Sequence, residues 1–133
     1  MKPEWMNELA TDEDPNVCAA LAQNPAIASF LDVVETLSTD EDWYVRYYLA
    51  HNPALANVPT IVEQLSNDQH WHVRAALARN PAIASFPKIV ELLSADQDPD
   101  VHSALARNPA IPARTANAQS WQTQPTAEES PVI

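Results

Sequence analysis

The chain has 133 residues, a formal net charge of −11, twelve prolines, one cysteine and no glycine. The missing glycine excludes the usual phosphate-cradling loops and disfavours tight β-hairpins, whose turns need positive φ. Cys18 by itself can form no internal disulfide and can hold no cysteine-based zinc or iron–sulfur site.

Residues 1–10 contain two acids and no apolar run, so no secretory signal is expected. No stretch approaches the roughly 20 apolar residues of a membrane span. The expectation is a cytoplasmic protein without cofactor or metal. The charge is unevenly placed. Residues 1–45 hold ten acids and one base, Lys2, whereas residues 46–114 hold six of each. An acidic chain repels phosphate backbones, which argues against nucleic acid as a partner.

In chain order, a half unit at Trp5–Ala10 precedes four copies of one pattern: 11–38, 39–66, 67–94 and a truncated 95–114. The words LAQNPA, LAHNPA, LARNPA and LARNPA begin at Leu21, Leu49, Leu77 and Leu105, a constant step of 28 residues. Self-similarity at this period marks a solenoid, in which each unit covers the apolar face of its neighbour.

Each unit reads as two short helices. The first opens at Asp14-Pro15 and Asp98-Pro99, an aspartate cap with proline at the first helical position. Val17 and Leu21, Val45 and Leu49, Val73 and Leu77, and Val101 and Leu105 form its inward stripe. It stops at Asn-Pro, because the residue before proline is pushed out of the α region. A short 3-10 turn is expected next. The second helix is expected to begin near Ser29, Asn57 and Ser85 as caps, with Ser29 and Asp32 as a partial capping box. Its inward residues are Val33, Val34 and Leu37 and their counterparts one and two units on.

Asn24, Asn52, Asn80 and Asn108 sit at a forced helix stop in every copy. A buried amide must be hydrogen-bonded, so these four are expected to form a structural ladder on backbone groups freed by the helix end. Arg46 and Arg74 follow the core valine. Asp42 lies one helical turn before Arg46, and Asp40 and Asp68 hold the matching place earlier in each unit. The arginines are expected to tie aspartates of the same or an adjacent unit. Tyr48 takes a place filled by Ala20, Ala76 and Ala104 and is expected to point inward.

The pattern D-x-D-P-x-V-R-x-x-L-A-x-N-P resembles the leucine-rich repeat variant (LRV) family and is similar to HEAT-like repeats. Asp12, Asp14, Pro15, Val17, Leu21, Ala22, Asn24 and Pro25 and their later equivalents carry the likeness over residues 5 to 114. The resemblance implies an all-α, right-handed α-solenoid of about four two-helix repeats. It does not carry over the family's iron–sulfur module, which one cysteine cannot supply.

The copies differ where binding would be written. One position reads Pro15, Trp43, Trp71, Pro99. The second unit adds Tyr44 and Tyr47, and the third adds His72. Equivalent positions in stacked units lie roughly 10 Å apart, so the two tryptophans would form neighbouring steps of one ridge edged by Arg46 and Arg74. Trp, Tyr and Arg are enriched at interface hot spots. His51, Arg79 and Arg107 share another position at the end of the first helix. His70-Trp71-His72 lacks a third metal ligand, and Asp96 to Asp100 lacks the glycine and final glutamate of a calcium loop.

Residues 115–133 have no apolar periodicity and read as a disordered tail that includes Trp121. The expected function is a non-catalytic scaffold that binds a protein or peptide through Trp43, Tyr44, Tyr47, Trp71, His72, Arg46 and Arg74. The alternatives are a HEAT-like enzyme or DNA-binding protein acting on nucleobases, and a self-associating structural protein. A monomer or a weak end-to-end oligomer is expected.

Overall fold

The structure, a computed structural model, describes residues 2–111. The expected tail and Trp121 lie outside them. The regular structure of the described residues is all helical, with eight α-helices, three 3-10 turns and no strand: α1 Glu4–Ala10, α2 Pro15–Ala22, α3 Leu31–Ser38, α4 Trp43–Ala50, α5 Pro59–Ser66, α6 Trp71–Arg79, α7 Pro87–Ser94 and α8 Pro99–Ala106. The even-numbered helices pack in one row, α2 on α4, α4 on α6 and α6 on α8. The odd-numbered helices form a second row, α1 on α3, α3 on α5 and α5 on α7. None of these helices is long and apolar enough to cross a membrane.

The apolar residues of the repeat meet between the two rows. Val33, Leu37, Val45, Leu49, Val62, Leu65, Val73, Leu77, Leu93 and Val101 have no exposed surface. Burying each removes enough apolar area to stabilise the fold by roughly 1.5–3 kcal/mol. Ala22, Ala50 and Ala78 are also fully buried. These alanines lie at or next to the end of the first helix in the first three units, where a longer side chain would overpack the contact between neighbours.

The Asn-Pro stop explains the hydrogen bonding of the whole row. The Ala50 carbonyl lies at the end of α4. Pro53 has no N–H to offer it, and the Ala54 N–H donates instead to Asn52 Oδ1 at 2.9 Å. Asn80 of the next unit supplies the missing donor, with its Nδ2 at 2.8 Å from the Ala50 carbonyl and 2.9 Å from that of Asn52. The same set recurs one unit earlier, where Asn52 Nδ2 reaches the carbonyls of Ala22 and Asn24. It recurs one unit later, where Asn108 Nδ2 reaches those of Ala78 and Asn80. Asn52 and Asn80 thus cap their own 3-10 turns and complete the helix end of the unit before them, and Asn108 does the same for the end of α6 while accepting from the Ala110 N–H. Asn52, Asn80 and Asn108 are buried, whereas Asn24 at the start of the row is half-buried.

The arginines form a second link between units. Arg46 Nε and Nη2 donate to the Asp68 carboxylate at 2.7 and 3.1 Å, and its Nη1 donates to the Asp40 carbonyl at 2.6 Å. Arg74 repeats this on Asp96 and the Asp68 carbonyl. The acid that Arg46 selects lies 22 residues ahead, in the next unit, rather than at Asp42 on its own helix. Asp68 also accepts from the His70 N–H, so the carboxylate fixes the turn before α6 while holding Arg46. Cys18 occupies the equivalent place in α2, and its thiol donates to the Asp12 carbonyl.

The second helices start later than their serine and asparagine signals suggest. Ser29, Asn57 and Ser85 are the last residues of the 3-10 turns. The residues at the caps are Phe30, Val58 and Phe86, with no side-chain cap bond. The Phe30 carbonyl accepts from both Val33 and Val34 N–H, and Pro59 and Pro87 bring preset φ to the first helical position. Asp32 forms no capping box with Ser29; its carboxylate meets Lys2 instead. At the first helices the aspartate caps do form, with Asp14 accepting from Asn16 N–H and Asp98 from Asp100 N–H.

Candidate functional site

The aromatic residues of α4 and α6 form one stack. His70 caps α6, and its Nδ1 accepts the His72 N–H at 3.2 Å. That cap holds the two imidazoles 5.0 Å apart, against the face of Trp43. Ring centroids lie 4.4 Å apart for Trp43–His70 and 4.7 Å apart for Trp43–His72, both nearly parallel. His72 in turn stacks on Trp71 at 3.6 Å. The tryptophans are therefore joined through an imidazole rather than set side by side. His72 Nδ1 is buried in this stack and has no hydrogen-bond partner among the described residues.

Tyr47 and Tyr44 meet Trp43 edge-on at 5.9 and 6.0 Å, the favoured arrangement for rings with negative faces and positive edges. Trp43, Tyr44, Tyr47 and Trp71 all pack partly on the core. Burial, then the charges of Asp42, Asp14 and Asp40, push the Tyr44 hydroxyl above its ordinary value. Tyr48 does not turn inward. It is 36 % exposed and packs edge-on against Tyr47, because its ring is too large for a place that Ala76 and Ala104 fill while buried.

A cleft of about 250 Å³ opens beside this stack, across α4, α6 and α8. The repeat itself makes the concavity. Where α4 presents Tyr47 and Tyr48, α6 presents Ala75 and Ala76, and α8 presents Ser103 and Ala104. The small residues form the floor, and Tyr47, Trp71 and His72 form an aromatic wall. His51, Arg79 and Arg107 line the opposite end, and Asp100 is the one acid among the lining residues.

The seven sequence-derived candidates thus separate. Tyr47, Trp71 and His72 line the cleft, while Trp43 and Tyr44 lie behind the wall. Arg46 and Arg74 do not edge it; both are held in the ion pairs between units. Sequence reasoning left His51, Arg79, Arg107, Asp100 and Ser103 out of the site. The signal for three of them was their shared position at the end of the first helix. Among the described residues no group of three metal-ligating side chains converges.

Burial, and then the charge of Arg79, hold the His51 imidazole below its ordinary value of 6.5. Burial, then His72, lower His70 in the same way. Burial alone would raise Asp96, but hydrogen bonds from Arg74 and the Asp98 N–H hold its carboxyl below the ordinary 3.8. For all three groups the unfolded chain binds more protons than the folded one, so stability rises with pH in each window. The histidine contribution is complete above 6.5 and is lost as pH falls through the depressed folded values. The Asp96 contribution is lost below 3.8. Thermal melting followed by circular dichroism should therefore show a lower Tm at about pH 5 than at about pH 7.5. His51→Gln should reduce that difference; an unchanged Tm in the wild type would contradict this assignment.

In comparisons with family models, curated proteins and solved structures, nothing matches the chain.

Proposed function

We propose that the chain is a non-catalytic repeat scaffold that binds a protein or peptide in the cleft walled by Tyr47, Trp71 and His72. The reading includes a right-handed α-solenoid similar to LRV and HEAT-like repeats. The fourfold LAxNPA word, its 28-residue step and the two rows of helices support it. The observation that carries the binding role is the aromatic wall beside an alanine floor. Nothing in the repeat requires tryptophan at position 71, where the outer units place proline. A partly exposed indole next to a concave surface offers a partner a large apolar contact at small entropic cost.

The test is selection of short peptides from a random displayed library on the immobilised full chain. The recovered peptides are then titrated against Trp71→Ala. Truncating a hot-spot tryptophan costs about 2 kcal/mol or more, which is roughly a thirtyfold loss of affinity. Circular dichroism should show the variant still folded, since Trp71 is only partly buried. Peptides that bind wild type and Trp71→Ala alike would defeat the reading, as would a selection that recovers nothing.

A further inference from the structure

We propose that the cleft selects an acidic peptide, with a carboxylate seated between Arg79 and Arg107 and an adjacent apolar side chain on the alanine floor. This rests on the peptide-binding reading above and adds the chemistry of the partner.

The described arginines divide into two kinds. Arg46 and Arg74 are committed, each with a paired carboxylate and a backbone carbonyl. Arg79 and Arg107 make no ion pair and no side-chain hydrogen bond among the described residues. Both are exposed, and both line the cleft. They occupy one repeat position on adjacent helices, the last residue of α6 and the residue that caps the end of α8. Two guanidiniums lining one end of a cleft supply donors suited to a carboxylate. His51 continues the row on α4, but burial and Arg79 favour its neutral form, so the positive charge concentrates between α6 and α8.

The net charge sharpens this. The chain carries eighteen acids against seven Lys and Arg. An arginine pair without partners among the described residues is, in such a chain, a local exception to a repulsive field, so it confers preference and orientation on an incoming acid. Asp100 sets the polarity. It stands at the start of α8 and Arg107 just past its end, about 10 Å apart at 1.5 Å rise per residue. An extended peptide covers that distance in about three residues. The fitting ligand has an acid at the arginine end, apolar residues between, and a base rather than an acid at the Asp100 end.

The test uses three fluorescein-labelled peptides built on Glu-Leu-Leu-Lys, Gln-Leu-Leu-Lys and Glu-Leu-Leu-Gln, titrated by anisotropy against the full chain. The first should bind about tenfold more tightly than the second, the size of one charge-assisted hydrogen-bonded contact. Its affinity should fall as salt rises. The variant Arg79→Gln/Arg107→Gln, which removes only exposed side chains, should bind the first two peptides alike. Equal binding of the Glu and Gln peptides to the wild type would overturn the proposal. So would a single-stranded oligonucleotide that binds more tightly than the peptide and depends on the same arginines. A dimer that dissociates in the arginine variant while no peptide binds would overturn it in favour of a second copy. If Trp71→Ala abolishes binding while the arginine variant leaves it intact, the scaffold reading stands and the acidic selectivity falls. If none of the three peptides binds and library selection recovers nothing, both fall.

Discussion

Asn80→Ala is expected to destabilise the protein by about 3 kcal/mol, the sum of what one buried capping amide provides at both of its ends. The side chain makes three hydrogen bonds, to the carbonyls of Ala50 and Asn52 and from the N–H of Ala82. The Asn52 carbonyl keeps a second donor in the Leu55 N–H. The Ala50 carbonyl has no such reserve, because Pro53 lacks an N–H and Ala54 is already engaged. A buried carbonyl left without a donor costs about 1–3 kcal/mol, and the lost cap of the Pro81 turn adds about 1 more. Against a typical total of about 5–15 kcal/mol, this is a large fraction. Asn24→Ala is the internal control. Asn24 caps its own turn through the Ala26 N–H but has no preceding unit to complete. Its loss should be close to that of a cap alone, about 1 kcal/mol. Asn80→Asp keeps the acceptor for Ala82 but turns an anion toward two carbonyls, so it should be no better than alanine. Urea unfolding followed by circular dichroism measures all three. Equal losses at positions 24 and 80 would show that the bond between units contributes nothing.

The Asn-Pro stop shows what was legible in the sequence. A proline after a helix leaves a carbonyl without a donor, and an asparagine recurring beside it signals who supplies one. The first-helix caps were legible for a similar reason, since Asp14 and Asp98 each accept from the N–H two residues on. What was not legible depends on three-dimensional spacing. Ser29 has the chemistry of a cap, but a full 3-10 turn takes it in and passes the start of α3 to Phe30. That the arginines tie aspartates was legible, but not which: Asp42 has the right helical spacing for Arg46, and only the folded chain selects Asp68 of the adjacent unit. The aromatic substitutions could be read as departures from the repeat, but which of them face a cleft depends on rotamers. His72 enters the stack between two indoles, and Trp43 is thereby placed behind the wall. Arg79 and Arg107 were visible only as a shared position. Their significance comes from lacking partners among the described residues while Arg46 and Arg74 have them, and that contrast exists only in the folded chain.

Arg46→Met should be as damaging as the loss of Asn80, or more so, at about 3–5 kcal/mol. The ion pair is largely shielded, with side-chain exposures of 10 % for Arg46 and 8 % for Asp68. Methionine covers much of the arginine stem but leaves the Asp68 carboxylate desolvated and facing no cation. The Asp40 carbonyl also loses its donor. The second substitution separates these effects. Asp68→Asn retains an oxygen for the His70 N–H, so the turn before α6 survives while the charge is removed. In the double variant Arg46→Met/Asp68→Asn no buried charge is left unpaired, and most of the loss should be regained. Replacing a buried pair by neutral groups is often close to neutral, whereas breaking one is not. The outer pair provides a scale. Arg74 is 18 % exposed, so Arg74→Met should cost less than Arg46→Met. A double-mutant cycle with no coupling between positions 46 and 68 would assign cohesion between units to the asparagines and the apolar contacts alone. Strong coupling would mean that the second unit recognises the third by charge as well as by shape, which fixes the register of the row there.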